Sequence, residues 1–227
     1  MIYGLARKDF KFYTKNMTKE ITEYFNKTIY PFYCDKIGKL YGDHVKRVIQ
    51  KSFDFAKTVE SEPINMDMVF VIGAFHDIGL IGGKKDHEKR SAQMFLEDKE
   101  ITKFFDKTQI KTIAEAIEDH RASKDGDPRT IYGKIVSTAD RLGWMDLDEA
   151  LRVQYSLRLK MFPEYSLDEK IEDARLHVIE KFSPSGYIDG KFYFKTDELD
   201  EFRKEFVALA NDKEKFKQEF LRVNGLR

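Results

Sequence analysis

The sequence is short of several things, and each shortage removes a class of explanation. It has a single cysteine, Cys34, so no disulfide can form within the chain and no cysteine-based zinc site can be built. Cys34 reads as a small buried apolar residue. No apolar run approaches the roughly 20 residues of a membrane-spanning helix. The opening MIYGLARKDFKFYTKN also lacks the apolar stretch of a secretory signal. The expectation is a cytoplasmic protein with no membrane partner. An excess of one charge is missing too: 40 Lys plus Arg balance 40 Asp plus Glu. Nucleic-acid binding driven by bulk charge is not expected from such a balance. There is no fixed-period repeat and no low-complexity segment.

What is present is helical periodicity. A chain of 227 residues, 41% hydrophobic and 35% charged, has enough apolar surface for one sizeable core under a well-solvated exterior. The N-terminal aromatics (Tyr3, Phe10, Phe12, Tyr13, Tyr24, Phe25, Tyr30, Phe32 and Tyr33) read as packing onto that core. Thr18 is placed to cap a helix over 18–30. Asp43 is placed to cap one running to about Glu60, with Val45, Val48, Ile49, Phe53, Ala56 and Val59 as its apolar positions. Asn65 precedes a segment from Met66 to about Ile78 that is apolar nearly all round, as a helix buried on most sides must be. Gly79 is placed to end it.

Asp86 and Thr108 read as caps for helices ending near Leu96 and Arg121. Asp127-Pro128 reads as the start of a helix reaching Leu142. Ser166 and Glu169 fit a capping box opening a helix to about Lys181. Further helical patterns lie at 197–210 and 212–222. One stretch differs: YIDGKFYF at 187–194 sets Asp189-Gly190 between aromatic and apolar residues, which predicts a short two-stranded ribbon. The fold class is all-α.

Four of the five histidines fall on inward stripes. His44 shares a row with Val48, Ser52 and Phe55. His76 and Asp77 close the most apolar helix. His87 is followed by Ser91 and Phe95, and His120 extends the row Ile110, Ile113 and Ile117. His177 has Asp173, Glu180 and Lys181 as neighbours and reads as a surface residue. Asp140 sits among Tyr132, Val136 and Ala139. A carboxylate turned inward is costly unless it meets a cation, a donor network or a metal. Several helix-borne histidines and two aspartates thus point to one interior. Mutual hydrogen bonds could satisfy them; a divalent cation would do so more completely. A His-Asp pair alone carries little; the order His44, His76-Asp77, His87, His120, Asp140 carries more.

In that order the pieces DHVKRV, AFHDIG, HEKRSA, IEDHR and STADRL resemble the HD superfamily of metal-dependent phosphohydrolases, over about 43–145. The resemblance implies an HD-type helical bundle; 1–42 and 146–227 match none of its motifs and are expected as helical extensions packed on the core of a single domain. It implies a divalent metal (Mn, Mg, Fe, Co, Ni or Zn) on His44, His76, Asp77 and Asp140. It places His87 and His120 at a second metal or at the transferring phosphate, and makes Asp77, His87 and His120 the catalytic candidates. Lys84 and Lys85 in the glycine-rich loop, Arg121 and Arg141 each flank one of these residues and are candidates for holding phosphate. That loop is not a phosphate-binding P-loop, because the G-x-x-x-x-G-K-[ST] order is missing. The implied activity is hydrolysis of a phosphate ester or anhydride of a small molecule, a nucleotide first of all. A nucleotide phosphodiesterase, a di-iron oxygenase of the same superfamily and a non-catalytic binding module stay open as alternatives.

Overall fold

The computed structural model describes residues 18–142 and 146–226. The expectations for Tyr3, Phe10, Phe12 and Tyr13 therefore lie outside the described residues. The chain divides into two compact units, Met1–Gly143 and Trp144–Arg227. Among the described residues all regular structure is helical and no strand occurs, so the all-α expectation is met. No single described helix is long and apolar enough to cross a membrane.

Among its described residues the first unit contains six main helices: α1 (Lys19–Tyr24), α2 (Lys39–Ala56), α3 (Met66–Phe75), α4 (His87–Glu97), α5 (Lys107–Asp119) and α6 (Ile131–Leu142). Between α1 and α2 the chain stays helical but widens into π-helical turns at Phe25–Ile29 and Tyr33–Gly38. Thr18 borders α1 without capping it. Its hydroxyl instead donates to Asp67 on α3, which ties the segment to the bundle. Asp43 does not start α2. Gly38, at φ +138°, lets the chain re-enter the helix at Lys39, a conformation closed to residues with a Cβ. His44 therefore stands inside the helix, not at its start.

The buried face of α2 is Tyr41, His44, Val45, Val48, Ile49, Ser52, Phe53, Phe55 and Ala56, a stripe of helical period. It packs against both α3 and α6. Helix α3 opens on Asn65, whose side chain accepts from the amides of Asp67 and Met68. Eight of its residues are buried, as its composition predicts. It stops at Phe75, before Gly79, and the chain continues as a 3-10 turn over Ile78–Gly82.

Gly79 serves a different purpose from ending a helix. A Cβ there would lie 2.3 Å from the carbonyl oxygen of His87, so only glycine lets α4 approach this closely. The Gly79 amide also donates to Ser91 Oγ at 2.9 Å. Helix α5 is capped by Asp106 in a capping box with Gln109, two residues before the expected Thr108. Helix α6 begins at Ile131, not at Pro128. Thr130 accepts the Gly133 amide through its hydroxyl, while residues before it are fixed by Arg129 on Asp119.

The second unit holds α7 (Leu147–Met161), α8 (Leu167–Phe182), α9 (Asp197–Asn211) and α10 (Lys213–Asn224). Its core includes Phe182, Phe202, Phe206, Phe216 and Phe220. The Ser166–Glu169 capping box forms as expected. The ribbon expected at 187–194 does not. The amides of Tyr187, Asp189 and Lys191 donate to Glu180, Gly186 and Ile188 carbonyls, which spends on local turns the groups a ladder would need. The turn itself is real, with Gly190 at φ +73°.

Candidate metal centre

The first unit brings six sequence-predicted residues to one place. His44 comes from the middle of α2, Asp77 and His76 from the end of α3, and His87 from the first position of α4. His120 follows α5 directly, and Asp140 lies near the end of α6. His44 Nε2 is 3.0 Å from Asp140 Oδ1 and 4.0 Å from Asp77 Oδ2. His76 Nε2 is 3.5 Å from Asp77 Oδ2 and 3.7 Å from Asp140 Oδ1. On the other side of the same carboxylate, Asp77 Oδ1 is 3.2 Å from His87 Nε2 and 3.4 Å from His120 Nε2. Two groups result, His44–His76–Asp77–Asp140 and Asp77–His87–His120, sharing Asp77. The imidazoles are buried, whereas the Asp77 and Asp140 side chains keep 12% and 21% of their surface, so the carboxylates face the way in.

Local chain geometry fixes the tautomers. The last turn of a helix leaves carbonyls without amide partners. His76 and His120, each just past a helix, donate through Nδ1 to the carbonyls of Gly73 at 2.7 Å and Ile117 at 2.6 Å. His87 does the same to the Lys84 carbonyl at 2.9 Å. With Nδ1 carrying the proton, each neutral ring presents its Nε2 lone pair inward. The Nε2 atoms of His87 and His120 then face each other at 3.2 Å, beside a carboxylate oxygen. His76 Nε2 is buried with no hydrogen-bond partner. Lone pairs and anionic oxygens converging in this way require positive charge between them.

Without a metal, protons supply that charge. Burial alone would lower the pKa of His76, but Asp77 and Asp140 outweigh it and push it up to about 10. His87 is raised as well, with burial opposed chiefly by Asp77. His44 moves down, because burial prevails over its contact with Asp140. Both carboxyls are held well below their usual range. Burial opposes this; the His76 charge leads for Asp77, and hydrogen bonding from His44 leads for Asp140.

A divalent ion fits the same place. Donors about 2.1 Å from one ion lie roughly 3 to 4.2 Å from each other, and the contacts around His44, His76, Asp77 and Asp140 span that range. Mixed imidazole and carboxylate ligation suits Mn, Fe, Co, Ni or Zn. Both clusters could bind metal ions.

The phosphate-holding candidates are more dispersed. Lys84 and Lys85 are exposed on the loop before α4. Arg121 is half-buried and pairs with Glu88 at 3.2 Å. Arg141 is buried and donates to the Ser137 carbonyl on its own helix. His177 is half-buried beside Tyr187 in the second unit.

Two contributors escaped the sequence reading. Glu88, buried, links His87 Nδ1 at 3.4 Å to Arg121. Asp119, buried, receives Arg129 and Lys124 and thereby braces the loop that leaves His120. Both sit next to a predicted histidine, and that adjacency was the available signal.

The first unit is thus a helical bundle that gathers histidines and aspartates from separate helices into two adjoining clusters able to hold metal ions. Comparison with known families names it: residues 41–145 match the HD domain, and this stretch of the chain is an HD domain. No curated protein and no solved structure matches the chain.

Proposed function

We propose that the HD domain is a metal-dependent phosphohydrolase that cleaves a phosphate ester or anhydride of a small molecule, a nucleotide first of all. One observation carries the reading: buried Nε2 lone pairs and carboxylate oxygens converge in two clusters joined by Asp77. Such an arrangement is costly to keep in a core unless it holds cations.

In this reading His44, His76, Asp77 and Asp140 hold one divalent ion, and His87 and His120, with Asp77, hold a second or meet the phosphate. A bound ion would lower the pKa of a water and polarise a phosphoryl oxygen. The chain's own residues do the rest. The carbonyls of Gly73, Lys84 and Ile117 keep the rings aimed inward. Asp77, reaching both clusters, orients the attacking water. Where they hold no second ion, a further proton on Nε2 would let His87 or His120 donate to a phosphate oxygen or to the leaving group. Lys84, Lys85, Arg121 and Arg141 are the proposed cationic contacts, and the two lysines are the ones free of burial.

The test is hydrolysis of a generic phosphodiester and a nucleotide panel with added Mn. Wild-type turnover that disappears in Asp77→Ala is expected. Tight nucleotide binding without turnover across a broad metal panel would instead identify a binding module.

A further inference from the structure

Tyr33 belongs to the N-terminal segment, outside the stretch that matches the HD domain. It is fully buried, and its hydroxyl oxygen faces the Asp77 backbone amide, which can only donate, so the hydroxyl's own hydrogen has no acceptor. A packed core has no use for such a group. Phenylalanine fills nearly the same space without the desolvation cost, and the chain places Phe25, Phe53 and Phe70 at comparably buried positions. The hydroxyl's hydrogen therefore calls for an acceptor that is not a protein atom.

Its surroundings say which. Tyr33 opens the π-helical segment Tyr33–Gly38, which packs against the turn Ile78–Gly82 that follows Asp77 directly. Widened helical turns of this kind occur often at functional sites. Burial holds the phenol well above its usual range, with the charges of Asp77 and Asp140 adding to the effect and the Asp77 backbone amide opposing it. The phenol thus lies against Asp77 and within electrostatic reach of Asp140, and a hydroxyl there has one hydrogen to give.

We propose that Tyr33 donates its hydroxyl hydrogen to an oxygen held at the metal centre, either a metal-bound water or a phosphate oxygen, beside Asp77. The proposal rests on the metal-centre reading above. It makes the N-terminal segment a contributor to the site and Tyr33 a positioning residue for the oxygen it touches.

The experiment uses the full chain and Tyr33→Phe. Calorimetry measures Mn binding to each, then inorganic phosphate binding to each Mn-loaded protein. A contact to metal-bound water predicts weaker Mn binding in the variant; a contact to phosphate predicts weaker phosphate binding. A loss of about tenfold is expected in one of the two, the scale of one hydrogen bond to a charged acceptor. The metal-free variant should melt at the same temperature or higher, because it loses an unsatisfied buried group. Unchanged affinities in both arms overturn the role of Tyr33 alone. A metal-free variant that melts lower overturns it too, by showing that the hydroxyl's hydrogen already has an acceptor in the fold. Failure of wild-type protein to take up Mn overturns the metal centre, and this proposal with it.

Discussion

Metal uptake by this protein should be coupled to proton release. In the metal-free centre His76 carries a proton up to about pH 10, because Asp77 and Asp140 together outweigh its burial. An imidazole must be neutral to ligate, so an arriving ion has to displace that proton. At pH 7 the displacement spans about three pKa units, at about 1.4 kcal/mol each. The apparent affinity is then weaker than the intrinsic one by roughly a thousandfold, or about 4 kcal/mol. It should recover about tenfold per pH unit, so binding at pH 8 should exceed that at pH 6 by about a hundredfold. Burial lowers the pKa of His44, so its ring opposes an arriving ion less than that of His76 does. Two measurements check it. Competition with a chelator at pH 6, 7 and 8 gives the slope, and Mn titration at pH 7 in buffers of different ionisation enthalpy counts the protons. Flat affinity with no proton released would show that His76 is neutral or does not ligate, and the electrostatic account of the centre would fall.

Other expectations follow from the same coordinates. Metal-free protein should lose stability as pH rises from the unfolded histidine value near 6.5 toward about 10, because the raised His76 pKa stabilises only the protonated fold. Urea denaturation at pH 6.5 and pH 9 measures the difference, and greater stability at pH 9 would contradict it. Gly79→Ala should destabilise by about 1–3 kcal/mol, as overpacking does, and should disturb His87, whose carbonyl the new methyl would strike. A thermal melt and metal content read the two effects separately. Asn65→Ala should cost about 1 kcal/mol by removing the cap on α3, with metal affinity unchanged, since the cap is at the far end of the helix from His76.

The sequence made the site more legible than the boundaries of the helices that carry it. His44, His76, Asp77, His87, His120 and Asp140 all reach one place, because an inward stripe depends on spacing alone and survives an error in where a helix starts. Caps depend on single residues with competing uses. Thr18 and Asp43 have capping side chains but bond elsewhere, to Asp67 and Tyr30. Helix α7 went unseen because its buried side includes Gln154 and Arg158, which break the apolar stripe and are satisfied by each other and by Asp173. The ribbon at 187–194 failed because a turn dipeptide specifies a bend and says nothing about which carbonyls the flanking amides will choose. Tyr33 was read as one more core aromatic, since only the absence of an acceptor for its hydroxyl hydrogen distinguishes it.

The three rings held by a carbonyl only three residues back carry a consequence for assembly. Each ring's heading is set within a single loop of backbone, by a carbonyl of its own segment. Bringing the rods of the bundle side by side then completes the receptacle without any further searching by those side chains. The receptacle's shape then depends on the depth at which the rods dock, and its donors keep their aim through the segment each belongs to.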